Sequence, residues 1–273
     1  MSSKLGIVAG GGTLPQRLIE ACRRDGREVF VVAVKGQADA AALVGTPHEW
    51  VRIGAPGRAV ELAREHGITE VVFAGRFRRP SLFEVFPDWL AMQFILEVGK
   101  HVFRDDGFHK AVVDWAGRLG FRILGPETID RGLLAPEGVL GAVEPDAEAW
   151  SDIARGIEVA RALGNADVGQ GAIVQQGVVL AVEAIEGTDA MIARAGKLRL
   201  KGRGGVLVKA RKPAQEARID LPAIGVRTIE HAKAAGLSGI AIEAGGALVI
   251  DREEVVEAAD AARIFVVGVK VSA

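Results

Sequence analysis

The sequence predicts an α/β protein of two domains, and three observations support this prediction. Short apolar strands alternate with helix-like segments over roughly the first 125 residues, which is typical of a parallel sheet covered on both faces. Residues 125–145 are then punctuated by proline and glycine and lack sustained periodicity, as a connector does. A length of 273 residues also favours two domains over one. We therefore expect an N-terminal domain at residues 1–135 and a distinct C-terminal α/β domain at residues 136–273.

The N-terminal elements follow from the apolar pattern. Continuous apolar runs predict strands at residues 5–9, 29–34, 71–74 and 121–124. Apolar residues at helical spacing predict helices at residues 14–24, 59–66 and 111–119. Right-handed crossovers between the parallel strands are the default expectation.

The C-terminal elements begin with a predicted helix at residues 147–163. Predicted strands follow at residues 172–174, 178–183, 206–209, 240–242 and 265–269, and residues 248–250 lie directly before Asp251. The first two are separated by Gln175-Gln176-Gly177, which predicts a hairpin turn. Asp251 and the glutamates after it predict a capping-box-like start for a helix that ends near Ala262.

Composition excludes several classes of protein. The net charge is −1, so the sequence gives no indication of nucleic-acid binding. Cys22 is the single cysteine, which excludes a disulfide within the chain and a cysteine-based zinc site. Neither a signal peptide nor a membrane-spanning apolar run is visible, so we expect a cytoplasmic protein. Peripheral contact with a membrane surface stays open.

A glycine loop, Gly10-Gly11-Gly12, lies between the first predicted strand and a helix that opens with Thr13 and Leu14. Backbone amides at such a turn form an anion site, although a tight turn without a ligand is the alternative. A dinucleotide fingerprint is disfavoured, because Pro15 replaces a required glycine and the second strand ends at Lys35 without a carboxylate.

Three further polar segments lie near predicted element ends. Gly75 and Arg76 follow the third strand, at the edge where open α/β sheets bind ligands. Arginine there suits a phosphate ligand, and a solvated loop explains these residues nearly as well. Asp105 and Asp106 precede a helix. Their carboxylates suit binding of magnesium or of nucleotide hydroxyls, and capping of the helix N-terminus is the alternative. Gln170 offers an amide to a sugar or base, while the glycines beside it suit a bulge or bend.

The densest polar region runs from residue 186 to residue 220. It combines acidic residues around Gly187 and Thr188, a basic strand end at Lys209-Ala210-Arg211-Lys212, and the segment at 215–220. Oxygen ligands beside several cations are what a magnesium-assisted attack on a phosphate diester or a phosphate anhydride requires. The alternative for Asp220 is a turn or capping carboxylate before Leu221-Pro222.

The apolar segment at residues 89–102 is unusually hydrophobic for a connection between elements. A helical stripe buried in the core is the simplest explanation. A cavity for acyl chains or a dimer face is the alternative.

Taken together, the segments resemble the UDP-2,3-diacylglucosamine pyrophosphatase family of the LpxI type, from lipid A biosynthesis. The matching segments run in family order and are residues 5–12 with Leu14-Pro15, then 73–75, 167–171, 182–191, 212–216 and 218–225. The resemblance implies a Rossmann-like N-terminal half and a distinct C-terminal half that enclose the substrate between them. It also implies magnesium-dependent cleavage of the UDP-sugar lipid into UMP and 2,3-diacylglucosamine 1-phosphate (lipid X).

The resemblance places the aspartate that the family needs most on Asp220. The predicted catalytic residues are Asp220, Gln215, Glu216 and Lys209, and the predicted Mg2+ ligands are Asp220, Glu186 and Asp189. The predicted substrate-binding residues are Gly10, Gly11, Gly12, Thr13, Leu14, Gly75, Arg76, Asp105, Asp106, Gln170, Gly187, Thr188 and Lys212. The family usually has two aspartates followed by leucines and an arginine. This sequence has the aspartates, Asp105 and Asp106, but not the leucines or the arginine after them.

The predicted partner is a UDP-linked diacylated glucosamine lipid, and a homodimer is a further expectation. Two rival functions remain at this point. One is a nucleotide-sugar oxidoreductase that uses the N-terminal sheet, and the other is a non-catalytic carrier of a lipid or nucleotide.

Overall fold

A computed structural model describes residues 3–78, 86–98, 105–213 and 216–271, with the side chains of residues 98, 105 and 106 left out. The chain forms two compact units. The first comprises Met1–Arg131 together with Glu216–Asp220, and the second comprises Gly132–Gln215 and Leu221–Ala273. A short segment from late in the chain therefore belongs to the first unit.

The first unit contains a five-stranded sheet in the order β3-β2-β1-β4-β5. Its strands are β1 (Leu5–Ala9), β2 (Val29–Val34), β3 (His48–Val51), β4 (Glu70–Ala74) and β5 (Arg122–Leu124). All neighbouring strands run parallel, as predicted. The helices are α1 (Leu14–Arg24), α2 (Pro56–Glu65), α3 (Trp89–Val98), α4 (Asp105–Arg118) and α5 (Pro126–Ile129).

Burial explains why these segments form this sheet. All six residues of β2 are buried, which is the pattern of a parallel strand covered on both faces. The helix α1 turns Leu18, Ile19 and Cys22 inward, each at most 1% exposed. Full burial of one such aliphatic side chain stabilises the fold by about 1.5–3 kcal/mol.

The second unit contains a six-stranded sheet in the order β6-β13-β11-β9-β7-β8 and a two-stranded ladder, β10-β12. Its strands are β6 (Gly138–Leu140), β7 (Gly171–Gln175), β8 (Val178–Val182), β9 (Val206–Lys209), β10 (Ala223–Ile224), β11 (Gly239–Glu243), β12 (Leu248–Val249) and β13 (Phe265–Val269). The central β9, β11 and β13 run parallel, while β6 and β7 join them antiparallel. The helices are α6 (Ala147–Asn165), α7 (Gly187–Gly196), α8 (Val226–Ala235) and α9 (Arg252–Ala262).

The two faces of this sheet carry separate cores. On one face, α6 packs against buried residues of the parallel strands, among them Val206, Val208 and Phe265. On the other face, α7, α8 and α9 pack against Leu207, Ile240 and Ile242. Because side chains alternate along a strand, Leu207 and Lys209 point to this second face, which α7 covers.

Several predictions about the elements were wrong or incomplete. Asp251 precedes α9 with a φ of 55° and makes no side-chain capping hydrogen bond, so the predicted capping box is absent. The edge strand β3 and the helices α7 and α8 were not predicted. The apolar segment at residues 89–102 buries Ala91 and Phe94, but Trp89 and Leu96 are 74% and 76% exposed, and its residues 99–102 lie outside the described part.

Among the described residues, no helix is both long and apolar enough to cross a membrane.

Candidate active site

The loops that follow β1 and β4 pair with each other at the C-terminal edge of the first sheet. The amide of Gly10 donates to the Ala74 carbonyl at 2.8 Å, and that of Gly11 donates to the Arg76 carbonyl at 2.9 Å. The Arg76 amide returns a hydrogen bond to the Gly11 carbonyl at 2.8 Å. The strand order reverses between β1 and β4, and open α/β sheets bind ligands at such a point.

This pairing gives the glycines a packing reason. A Cβ atom on Gly10 would lie 2.5 Å from the Arg76 carbonyl oxygen, and one on Gly75 would lie 2.5 Å from the Gly11 carbonyl oxygen. Gly75 also has a φ of +96°, which side chains rarely adopt. Since the Gly10 and Gly11 amides already donate to protein carbonyls, these two amides are not available to an anion at this loop.

The other predicted binding residues of the first unit contribute less to a site. Leu14 is 7% exposed and packs in the core. Asp105 and Asp106 begin α4, but their side chains lie outside the described part of the structure.

Asp220 lies beside His109 of α4. Their Oδ2 and Nδ1 atoms are 3.8 Å apart, and the two side chains are 26% and 21% exposed. The backbone reaches this position through a turn in which the Asp220 amide donates to the Glu216 carbonyl at 3.0 Å. Both side chains are partly exposed, although the Nδ1 atom of His109 is itself buried. A carboxylate beside an imidazole is able to hold a proton or orient a water molecule.

The sequence did not single out His109, because its partner is distant along the chain and the histidine spacing carried no signal. The other predicted members of this segment differ in accessibility. Glu216 makes two hydrogen bonds of 2.7 Å to Arg218. These bonds lower the pKa of Glu216, so its carboxylate stays ionised and engaged at neutral pH. Gln215 lies outside the described residues.

In the second unit, Lys209 ends β9 and is 4% exposed. Its Nζ donates to the Thr188 hydroxyl at 2.7 Å and lies 3.5 Å from the Ala223 carbonyl. The Thr188 hydroxyl donates in turn to Glu183 Oε1 at 2.5 Å. The structure thus brings together Lys209 and Thr188, as a polar site requires, and adds Glu183, which no sequence pattern indicates.

Glycines make room for Glu183. A Cβ on Gly169 would lie within 2.1 Å of the Glu183 carbonyl oxygen, and one on Gly171 would lie 2.8 Å from Glu183 Oε2. The Glu183 amide also donates to the Gly171 carbonyl at 2.8 Å. The two glycines that flank Gln170 are therefore explained by close approach to Glu183, and Gln170 itself accepts from the Ala210 amide through its backbone at 3.1 Å.

The remaining polar residues of this edge are held by local partners. Lys212 is 3% exposed and pairs with Asp167 at 2.9 Å. Glu186 pairs with Arg194 at 2.6 Å, and a hydrogen bond from its own backbone together with this pair lowers its pKa below the ordinary value. Asp189 pairs with Arg227 at 2.9 Å and lies 3.3 Å from His231. Gly187 begins α7 with a φ of +78°.

The described residues contain no group of three His, Cys, Asp or Glu side chains arranged to hold a metal ion. Mg2+ is usually held by one or two carboxylates together with substrate phosphates, and this mode needs no larger protein cage. Asp220, Glu186 and Asp189 are each partly exposed, and arginines engage Glu186 and Asp189.

One further acid, which is partly buried, lies at the C-terminal edge of the first sheet. Glu127 of α5 has an Oε2 atom that is buried without a hydrogen-bond partner among the described residues. Burial raises the pKa of this carboxyl above its ordinary value.

Comparisons with known proteins cover nearly the whole chain. Residues 4–133 match the family model of the LpxI N-terminal domain, and residues 136–267 match that of the LpxI C-terminal domain. The chain is 42% identical to the UDP-2,3-diacylglucosamine pyrophosphatase LpxI of Caulobacter vibrioides (strain ATCC 19089 / CIP 103742 / CB 15). That alignment covers 97% of both proteins.

Proposed function

The chain belongs to the LpxI family, and from this premise we propose that it hydrolyses the pyrophosphate bond of UDP-2,3-diacylglucosamine. The products would be UMP and 2,3-diacylglucosamine 1-phosphate, formed in the cytoplasm during lipid A biosynthesis. The observation that carries the proposal is the 42% identity to a pyrophosphatase of this specificity across 97% of the chain. The polar groups found in each unit support it.

The reaction adds a water oxygen to one phosphorus while the bond to the bridging oxygen breaks. It therefore needs a group that orients water and cations that stabilise charge on the phosphate oxygens. Asp220, with His109 at 3.8 Å, is proposed for the first role. Lys209 is proposed for the second, because its buried ammonium has donors in excess of its contacts with Thr188 and Ala223.

Magnesium is part of the proposal. Asp220 is the residue that would hold the ion, in combination with the substrate's own phosphates. When bound, Mg2+ would neutralise phosphate charge and polarise the phosphoryl oxygens.

The lipid part of the substrate needs an apolar surface. Burial of each methylene of an acyl chain contributes about 0.8 kcal/mol, so two chains supply ample affinity. The exposed Trp89 and Leu96 of α3 are proposed for contact with acyl chains or with the inner membrane face. A homodimer built on the same face is the alternative proposal.

Product analysis tests the function. Purified protein with UDP-2,3-diacylglucosamine and Mg2+ should release UMP and the sugar 1-phosphate in equal amounts, measured by mass spectrometry. A protein that bound the lipid tightly without releasing UMP would be a carrier, and the proposal would be rejected. Release of UDP instead of UMP would also reject it, since that would place the cleavage at the sugar carbon.

A further inference from the structure

We propose that Glu183 is a positioning residue for Lys209 and acts on it through the Thr188 hydroxyl. The inference deepens the proposed function, on which it rests, because it concerns the cation that would face the substrate's phosphates. It depends on three features of the second unit: the strand register around Gly171, the direction of two hydrogen bonds, and the burial of Glu183.

The strand register places Glu183 and Lys209 on either side of Gly171. Gly171 of β7 is directly opposite Lys209 of β9. On its other side, the Glu183 amide donates to the Gly171 carbonyl at 2.8 Å. Directly opposed residues point to the same face of a sheet, so the lysine and the glutamate flank a residue without a side chain. Thr188 of α7 bridges that space.

The direction of each hydrogen bond is fixed by chemistry. An ammonium only donates, and an ionised carboxylate only accepts. The single hydroxyl proton of Thr188 is therefore given to Glu183 at 2.5 Å, and its oxygen accepts from Lys209 at 2.7 Å. Glu183 in this way keeps the Thr188 oxygen turned toward Lys209, which leaves a further ammonium hydrogen for a ligand oxygen.

Burial indicates that Glu183 is more than a structural filler. It is 7% exposed, and its Oε2 atom has no hydrogen-bond partner among the described residues. A buried carboxylate oxygen without a partner is costly for the fold. The space for it exists because Gly169 and Gly171 lack side chains. An apolar residue would fill the same space at lower cost, so a function for the charge is the better explanation.

The test compares conservative variants in the full-length protein. Thr188→Val and Glu183→Gln should each lower kcat by about tenfold or more with KM changed by less than about threefold, since a hydrogen bond to a charged group is lost. Thr188→Ser keeps the hydroxyl and should retain kcat within about threefold of wild type. Glu243→Gln is the matched control, because Glu243 ends a neighbouring strand and accepts from the Arg211 amide instead.

A readout that needs no turnover separates this inference from the proposed function. Lysine ammonium groups that are held by hydrogen bonds give protected 1H–15N signals, and Lys209→Arg identifies the signal of Lys209. We expect that signal to broaden or vanish in Glu183→Gln and to persist in Glu243→Gln. If Glu183→Gln leaves both the signal and kcat at wild-type values, the inference is wrong. A persistent signal with no UMP release by the wild type would instead reject the proposed function.

Discussion

Charged side chains of the same chemical type have different surroundings in this protein. Asp220 is about a quarter exposed and lies beside His109, whereas Glu216, four residues earlier, is held by Arg218. Lys209 and Lys212 are both nearly buried, yet Lys212 meets a carboxylate and Lys209 meets a hydroxyl. A residue's chemistry here follows from its partner, and the partner is set by the fold.

The first residue-scale prediction concerns Asp220. Asp220→Asn keeps the shape of the side chain and removes its charge, so we expect turnover to fall by about 10²–10⁴-fold with saturating Mg2+. The circular dichroism spectrum and melting temperature should stay near wild type. Asp39→Asn, at an exposed capping aspartate of the same unit, is the control and should remain active. Near-wild-type turnover in Asp220→Asn would remove Asp220 from the mechanism.

The second concerns the pH dependence of stability at Glu127. Burial raises its pKa in the folded protein above the ordinary value of 4.5, so the folded state binds this proton more tightly than the unfolded state does. The ionised Glu127 carboxylate therefore lowers the free energy of unfolding. This loss is absent at low pH and grows as the pH rises through 4.5 toward the pKa of the folded protein. Glu127→Gln should therefore melt at a higher temperature than wild type at pH 7, and the gain should disappear near pH 4. A gain that is the same at both pH values would contradict this cause.

The candidate residues were predictable from sequence only in part. Asp220, Thr188 and Lys209 could be selected because oxygen and amine groups cluster along one stretch of chain. His109 and Glu183 could not, since their partners come from distant parts of the chain or from a helix that was not predicted. Burial, which decides the behaviour of Glu127 and Glu183, is not encoded in local spacing.

At the scale of elements, continuous apolar strands were predictable and mixed ones were not. The strands β1, β2, β9 and β13 lie where the sequence predicted them, because strands buried on both faces leave an unbroken apolar run. β3 was missed because it is an edge strand that begins with the exposed His48 and Glu49. α7 is not predictable from the pattern, because its first turn, Gly187-Thr188-Asp189, is polar and has the composition of a loop.

The paired loops after β1 and β4 give an element-scale prediction. Gly75→Ala would place a Cβ atom 2.5 Å from the Gly11 carbonyl at a φ of +96°, so we expect a loss of about 2–4 kcal/mol in the free energy of unfolding. Gly36 has a φ of +75° but open space around its Cβ position. Gly36→Ala should therefore lose only about 1–2 kcal/mol, the cost of the backbone conformation alone. Urea denaturation measures both, and equal losses would show that the loop pairing is not what requires glycine.

At the scale of the whole molecule, the α/β class and the division into two parts were predictable, because proline and glycine interrupt the pattern between two regular regions. The strand order of each sheet was not predictable from pattern alone. Nor was the placement of Glu216–Asp220 in the first unit, since no local signal separates these residues from their neighbours.

Metal dependence is a prediction about the whole molecule. We expect Mg2+ to enter chiefly with the substrate's phosphates, because Mg2+ is usually held by one or two carboxylates together with substrate phosphates. Chelation with EDTA should abolish turnover, and added Mg2+ should restore it. The melting temperature of the substrate-free protein should change by less than about 1 °C, since little binding energy is then linked to folding. A large drop on chelation would reveal a resident metal site instead.

The first unit is built from two separate stretches of the chain, Met1–Arg131 and Glu216–Asp220, so a cut of the gene between residues 131 and 216 divides this unit. The family boundary near residue 134 assigns Asp220 to the C-terminal domain, whereas spatially it accompanies His109. A fragment ending at residue 131 would carry the imidazole without the carboxylate, and the complementary fragment would carry the reverse. Because Asp220 and His109 are proposed to act together, we expect neither fragment to release UMP alone, and we expect activity only when both fragments are combined.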